Sequence, residues 1–442
     1  MNGPLLSRRG FMATTGLAAG ALSASPASAS GAPNVLLLVA DRLPGDLLHP
    51  RGLPGAELPT FAQIGREWVR FDAACAAMVG DGPGGDALWL GRPGSETGAM
   101  REGQRASASL PDLLGWVAKQ AQLDSFVAGR VGVSGRSNPG LSVLCDDVGN
   151  LGVLRAMQGF FRNRPPARPW MVSVGLRSLR GLDAWTLAQS PDVPPVDLGL
   201  APRDFPQLPD TLVSESPTPS RVREHSPRPS GWSESHWQAA LWHSTRILEA
   251  LDGVIQRLLA SLDGSLHGEN TVVMITSSQG SPWARHGRLR PGGLLEGSVR
   301  VPWAVRWPWD RSAEAVALPV STLDLVPTVC ATLGIPLLPD ARGVSLRPVL
   351  DGYPAPRRSE VVTEALIDGR AVRSSEFRYI EWRDDPVVQL YHLASAPAED
   401  RNLADNAGYS SVVLSHRAAL ELWEAGLRPT ERSRAGWPGD PP

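Results

Sequence analysis

Residues 34–39 (NVLLLV) are apolar without interruption, the pattern of a strand buried on both faces rather than one alternating between core and water. Similar runs recur at residues 170–174 (WMVSV) and 271–276 (TVVMIT). Between them lie stretches with helical periodicity, at 60–68, 110–121 and 236–262. Strands that alternate with helices and read apolar throughout predict an α/β fold with a large, mostly parallel sheet sandwiched by helices. This main domain is expected over residues 33–340. Residues 186–235 are rich in Pro and Ser and show no period, so they read as a long loop over the domain. After Gly343 the texture changes to short strand-like pieces at 379–382 and 387–391. They predict a smaller, partly antiparallel C-terminal α+β subdomain over 341–427, and residues 428–442 read as a disordered tail.

Composition narrows the function classes. The chain has 442 residues, 42% hydrophobic and 20% charged, which fits an ordinary globular protein and excludes wholesale disorder or a fibrous repeat. A net charge of −2 without a basic block gives no footprint for nucleic acid. No apolar run after the N-terminal segment is long enough for a spanning helix. Lys119 is the only lysine, so arginine supplies nearly all positive charge. With 41 Pro and 45 Gly, this reads as a coding bias first and a selected surface second. Cys75, Cys145 and Cys330 are too few and too scattered for a disulfide framework or a zinc site. One disulfide with an odd free thiol is the most they allow.

The first thirty residues read as a processing signal. Ser7-Arg8-Arg9-Gly10-Phe11-Met12 is a twin-arginine core, residues 13–22 are weakly apolar, and Ala27-Ser28-Ala29 is a small-residue cleavage pattern. Removal of residues 1–29 by the twin-arginine route, with the mature protein periplasmic or extracellular, is the expectation.

Almost all of the mature chain resembles the sulfatase family, within the alkaline phosphatase superfamily. Residues 32–41 (APNVLLLVAD) resemble its first strand, and Leu58-Pro59-Thr60-Phe61 its first helix. Leu90-Gly91-Arg92 and Thr97-Gly98 match the end of the signature helix; residues 270–276, His286-Gly287 and Ser298-Val299-Arg300-Val301-Pro302 match a later strand and loop. Asp324-Leu325-Val326-Pro327-Thr328, Gly343-Val344-Ser345-Leu346 and Asn402-Leu403-Ala404 agree in order farther on.

The resemblance implies a chemistry that these residues do not supply. In that family a Cys or Ser in a C/S-x-P-x-R signature becomes an aldehyde hydrate that attacks sulfur, helped by a divalent cation and a pocket of Lys, His and Arg. Here the signature reads Asp81-Gly82-Pro83-Gly84-Gly85, so the nucleophile position is Asp81 and the arginine position is Gly85. Cys75 cannot substitute, because Ala77 and Val79 stand where Pro and Arg are needed. The family's first aspartate pair reads Asp41-Arg42 and its second metal pair reads Ser278-Gln279. Calcium takes about six to eight oxygens with several carboxylates among them, so Asp41 is the one clear ligand left, with Gln279 a weak second, and no metal is expected. The family's GKWHxG reads Gly129-Arg130-Val131-Gly132-Val133-Ser134, its next histidine aligns with Ser178, and its lysine with Pro291.

Arg130, His286 and Asp46 keep family positions or a family charge. Asp46 also reads as a loop carboxylate that caps backbone, and His286 as a structural histidine. Trp232, Trp237 and Trp242 offer either a stacking platform for sugars or ordinary core. Arg42 is expected to take the space of the cation and to bond Asp81 through parallel N–H groups; the alternative turns it to solvent. The functional expectation is an exported family member without sulfatase chemistry, with a binding or scaffolding role toward a sulfated or other anionic glycan or a protein partner. The alternative is an ester hydrolase that uses Asp81 or Asp41.

Overall fold

The run that opens the globular part forms the central strand of the large sheet. A computed structural model describes residues 32–131, 140–183, 186, 205–213, 218–225, 228–309, 313–354, 358–366 and 368–428. The first strands are β1 (Asn34–Ala40), β2 (Val69–Cys75), β3 (Met78–Val79), β4 (Asp124–Gly129), β5 (Leu141–Cys145) and β6 (Trp170–Leu176). They are followed by β7 (Thr271–Ser277), β8 (Ala304–Arg306) and β9 (Ala315–Ser321), then β10 (Glu360–Ala365), β11 (Gly369–Ser374), β12 (Phe377–Trp382) and β13 (Gln389–His392). The longer helices are α1 (Pro59–Glu67), α2 (Pro83–Leu90), α3 (Leu113–Ala118), α4 (Gly149–Asn163), α5 (Glu234–Asp263), α6 (Leu325–Leu333) and α7 (Ser410–Ala425).

The large sheet has the order β5-β4-β6-β1-β7-β8-β2-β9, and only β8 runs antiparallel to its neighbours. Strand β1 is buried on both faces because helices cover both. Leu36, Leu38 and Ala40 pack with Ile64, Met157 and Leu248 of α1, α4 and α5. Val35, Leu37 and Val39 pack on the other side with Leu88, Leu113 and Val326 of α2, α3 and α6. Burying strands this way leaves every β1 residue in the core and explains the uninterrupted apolar run.

Some elements differ from the periodicity. Helix α3 is shorter than residues 110–121 because Asp112 caps it, its side chain accepting from Gly115 N at 2.9 Å. Strand β2 alternates buried and half-buried positions at Arg70 and Asp72, which hides it from a search for continuous apolar runs. Within the expected 186–235 loop, a helical turn spans Asp210–Leu212 and a helix spans Ser220–His225. The expected signal at residues 1–29 and the tail beyond 428 lie outside the described residues, as do residues 187–204, 214–217 and 226–227 of that loop.

The smaller sheet has the order β13-β12-β11-β10-β3, antiparallel except where β3 joins β10. That junction pairs Met78 with Glu364 and Val79 with Ala365, and so anchors the chain just before Asp81. No described helix is long and apolar enough to cross a membrane. All three cysteines are free, with Cys75 and Cys330 buried and Cys145 half-buried.

Candidate functional site

Parallel register brings the site together. Ala40 lies opposite Leu176 of β6 and Ser277 of β7, so Asp41-Arg42, Arg177-Ser178 and Ser278-Gln279 all leave the sheet at the carboxyl ends of adjacent strands. Open α/β sheets bind ligands at that edge. The turn after β3 delivers Asp81 to the same place; Gly82 there has a φ of 95°, a left-handed conformation that glycine adopts without strain.

Arg42 is the centre of the cluster and only 2% exposed. Its Nη1 and Nη2 donate to the two oxygens of Asp183 at 2.7 and 2.8 Å, and Nη2 also donates to Asp81 Oδ2 at 2.9 Å. The expected bond to Asp81 is present, but it is single. The paired fork falls on Asp183, which the sequence reading missed. Burial opposes the charge of Arg42, yet Asp183 and Asp81 hold its pKa above the ordinary value. Arg42 does not turn to solvent.

The other positions close around this ion pair. Gln279 Oε1 accepts from Gly80 N at 2.9 Å, which turns its amide nitrogen toward Asp81 Oδ1 at 2.7 Å. Arg180 Nε lies 3.4 Å from Asp81 Oδ2. Ser178 donates to Asp41 Oδ1 through its backbone N at 3.0 Å and through its hydroxyl. Ser278 Oγ donates to the Asp41 carbonyl at 2.8 Å. Burial pushes the Asp41 carboxyl above its ordinary value, against the Ser178 bonds and the charge of Arg42. Gly85, in the first turn of α2, contributes no side chain. Pro291 likewise brings no charge, but the preceding residue does: Arg290 Nε lies 3.5 Å from Asp183 Oδ1.

A divalent cation does not fit these donors. Arg42 bridges Asp81 and Asp183, Gln279 presents N–H groups to Asp81, and Asp41 Oδ1 is taken by Ser178. Among the described residues there is no group of three or more His, Cys, Asp or Glu side chains arranged to hold a metal. Both Asp81 oxygens accept hydrogen bonds, Oδ1 from Gln279 and Oδ2 from Arg42.

Other candidates sit apart from the cluster. Arg130 is exposed and helps hold the Asp147 carboxyl low, behind the bond from Arg177 Nε at 2.6 Å; the Gly132 to Ser134 part of that motif lies outside the described residues. Asp46 is clamped by Arg300 at 2.7 Å and Arg285 at 2.8 Å, so it is an ion-pair residue rather than a backbone cap. The two guanidiniums hold its pKa below the ordinary value although burial works the other way. His286 is buried beside Arg228, Arg285 and Arg288; burial first, then those charges, pull its pKa to about 4. Trp237 is 7% exposed and packs against the half-buried Trp232 with ring centroids 5.0 Å apart, while Trp242 sits under Arg246. The first two are core, not an open platform. Arg180 and Asp183 carried no local signal beyond being charged residues shortly after β6, and Arg290 none beyond its place next to Pro291.

The cluster lies at the carboxyl edge of a mostly parallel α/β sheet, and comparison with known proteins shows what the chain is similar to. No protein-family model matches the sequence. The chain is 27% identical over 240 residues to a Delta 4,5-hexuronate-2-O-sulfatase of Bacteroides thetaiotaomicron, covering 49% of each chain. It is 31% identical over 164 residues to arylsulfatase K of Danio rerio, covering 35% of this chain and 31% of that one. The match thus spans half or less of these curated relatives. Among solved structures, a 2-O GAG sulfatase superposes with a TM-score of 0.77 at 21% identity, over 92% of this chain and 97% of the other. A phosphonate monoester hydrolase of Agrobacterium radiobacter gives 0.70 at 18% identity, over 89% and 96%. The chain is similar to sulfatases over up to half of its length and shares the fold of the sulfatase and phosphonate monoester hydrolase structures.

Proposed function

We propose that this protein is an exported sulfatase-family member that has exchanged sulfuric-ester hydrolysis for a binding or scaffolding role, with no metal cofactor. The observation that carries this reading is the Arg42 guanidinium fixed between Asp81 and Asp183. A cation held there by the chain neutralises the carboxylates that a divalent metal would otherwise join, and it has no open coordination position for a substrate oxygen. Asp81 lacks the chemistry of an aldehyde hydrate, and both of its oxygens already accept hydrogen bonds.

An anionic glycan is the ligand class we propose. Arg180 and Arg290 are 37% and 39% exposed at the rim of the cluster, and arginine forks suit sulfate and carboxylate groups. Both sequence relatives and one of the two solved structures above are named as sulfatases, which supports this class over a protein partner.

The test is a panel of aryl sulfates and phosphate mono- and diesters offered to purified protein, with and without Ca²⁺, Mn²⁺ and Zn²⁺. No turnover is expected under any condition, and binding of a sulfated oligosaccharide should weaken about tenfold in Arg180→Ala/Arg290→Ala, the loss of roughly 1.4 kcal/mol. Turnover that disappears in Asp81→Ala would overturn the proposal and favour a rearranged hydrolase.

A further inference from the structure

A groove of about 690 Å³ opens beside the Arg42 cluster, inside the range of about 300–1,000 Å³ in which small-molecule sites fall. Pro44, Gly45 and Ser281, a few residues beyond Arg42 and Gln279 in the chain, help to line it. Arg42, Asp81, Asp183 and Gln279 do not.

Two ion-pair groups stand in its lining. Asp46 accepts from Arg300 Nη1 at 2.7 Å and from Arg285 Nη2 at 2.8 Å. Glu296 Oε1 accepts from Arg373 Nε at 3.0 Å and, from behind, from the fully buried Arg378. The pairs leave polar atoms over. Arg285 Nε and Nη1, Arg300 Nη2, Arg373 Nη2 and Glu296 Oε2 have no hydrogen-bond partner in the chain. None of these atoms is enclosed, although the Arg373 and Glu296 side chains are only 10% exposed. Arg51 lines the groove as well, exposed and without a side-chain partner. Around these groups lie the half-buried or exposed apolar surfaces of Pro54, Leu208, Leu393 and Pro397. The loop that brings Arg285 in is strained, with φ values of 56° and 63° at Trp283 and Ala284. Non-glycine residues hold such angles only where their surroundings over-determine them.

Charge selects the ligand class. Burial works to raise both carboxyls, but Arg300 with Arg285 holds Asp46 low, and Arg378 with Arg373 holds Glu296 low. An anion entering the groove therefore meets two ionised carboxylates, and a cation meets the guanidiniums. A hydroxyl group meets neither obstacle, because it accepts from an N–H group and donates to a carboxylate oxygen at the same time. We infer that this groove binds the uncharged sugar residues of an oligosaccharide, with hydroxyls on the two ion-pair groups and C–H faces on the prolines and leucines around them. This inference does not rest on the proposed function, which concerns charged groups at the rim of the Arg42 cluster.

The test is saturation-transfer NMR of the purified full chain with maltohexaose, cellohexaose, xylohexaose and chitohexaose, all uncharged. Saturable binding of at least one is expected. Arg285→Ala should weaken it about tenfold through lost bonds from a charged donor. Asp46 keeps its bond to Arg300 in that variant. Arg51→Ala removes a side chain that nothing in the chain holds, so it serves if Arg285→Ala fails to fold, and a loss of about fivefold is expected. The inference is overturned if none of the four sugars binds, or if a folded Arg285→Ala, or Arg51→Ala in its place, binds as well as wild type. Tighter binding of sulfated maltohexaose that disappears in Arg285→Ala overturns it too, by making the groove an anion site.

Discussion

Arg42→Ala is the perturbation that most directly probes the centre of the site. It removes three charge-assisted hydrogen bonds, two to Asp183 and one to Asp81. Such bonds contribute about 1.5–3 kcal/mol each when taken singly, but these share one guanidinium and do not add. The larger effect is the pair of carboxylates left facing each other at 13% and 18% exposure. Removing one partner from a buried ion pair costs on the order of 3–5 kcal/mol. Here Arg180 and Arg290, at 3.4 and 3.5 Å, compensate in part, so the lower end of that range is expected. For 442 residues, an unfolding entropy near 0.9 kcal/mol/K converts that lower end to a Tm drop of about 3–4 °C. Calorimetry at neutral pH measures it. Adding Asp183→Asn should recover more of the loss than adding Asp81→Asn, because Asp183 takes two of the three bonds. Millimolar Ca²⁺ or EDTA should leave wild-type Tm unchanged, whereas a real site filled at a hundred times its Kd would add about 2.7 kcal/mol. An Arg42→Ala variant as stable as wild type, or a calcium-dependent rise in Tm, would refute the reasoning.

Two further outcomes follow from other parts of the chain. Burial, with Glu296 beside it, pushes Glu399 up to about 8 against the pull of Arg378. Because its folded pKa lies above the ordinary 4.5, the folded state holds more protons between those values, and stability from this group falls as pH rises from about 4.5 to 8. Glu399→Gln should therefore raise Tm at pH 8.5 relative to wild type, with the gain fading toward pH 5; a gain independent of pH, or a loss at pH 8.5, counts against this. Replacing Arg8 and Arg9 by Lys should leave full-length precursor in the cytoplasm on fractionation, and unchanged export would show that residues 1–29 are not a twin-arginine signal.

Strands β1, β6 and β7 were legible in the sequence because a strand covered on both faces excludes polar side chains, and that rule acts locally. The positions Asp81, Arg42 and Ser278-Gln279 were read from their offsets to flanking segments, and the fold gathers them at one sheet edge. The partner of Arg42 was not legible in this way. Asp183 lies 141 residues away, after the β6 strand, and reaches Arg42 only because parallel register sets the ends of β1 and β6 side by side. Asp46 illustrates the same limit, since its two arginines are 239 and 254 residues distant. Arg373 marks the far end of the scale. A sequence rich in arginine does not distinguish a buried guanidinium from a solvated one, nor one fully bonded from one with an N–H group left open. Residue type along the chain fixes which charges exist; desolvation and the distances between strand ends, which only the folded chain sets, decide which of them must find a counter-charge.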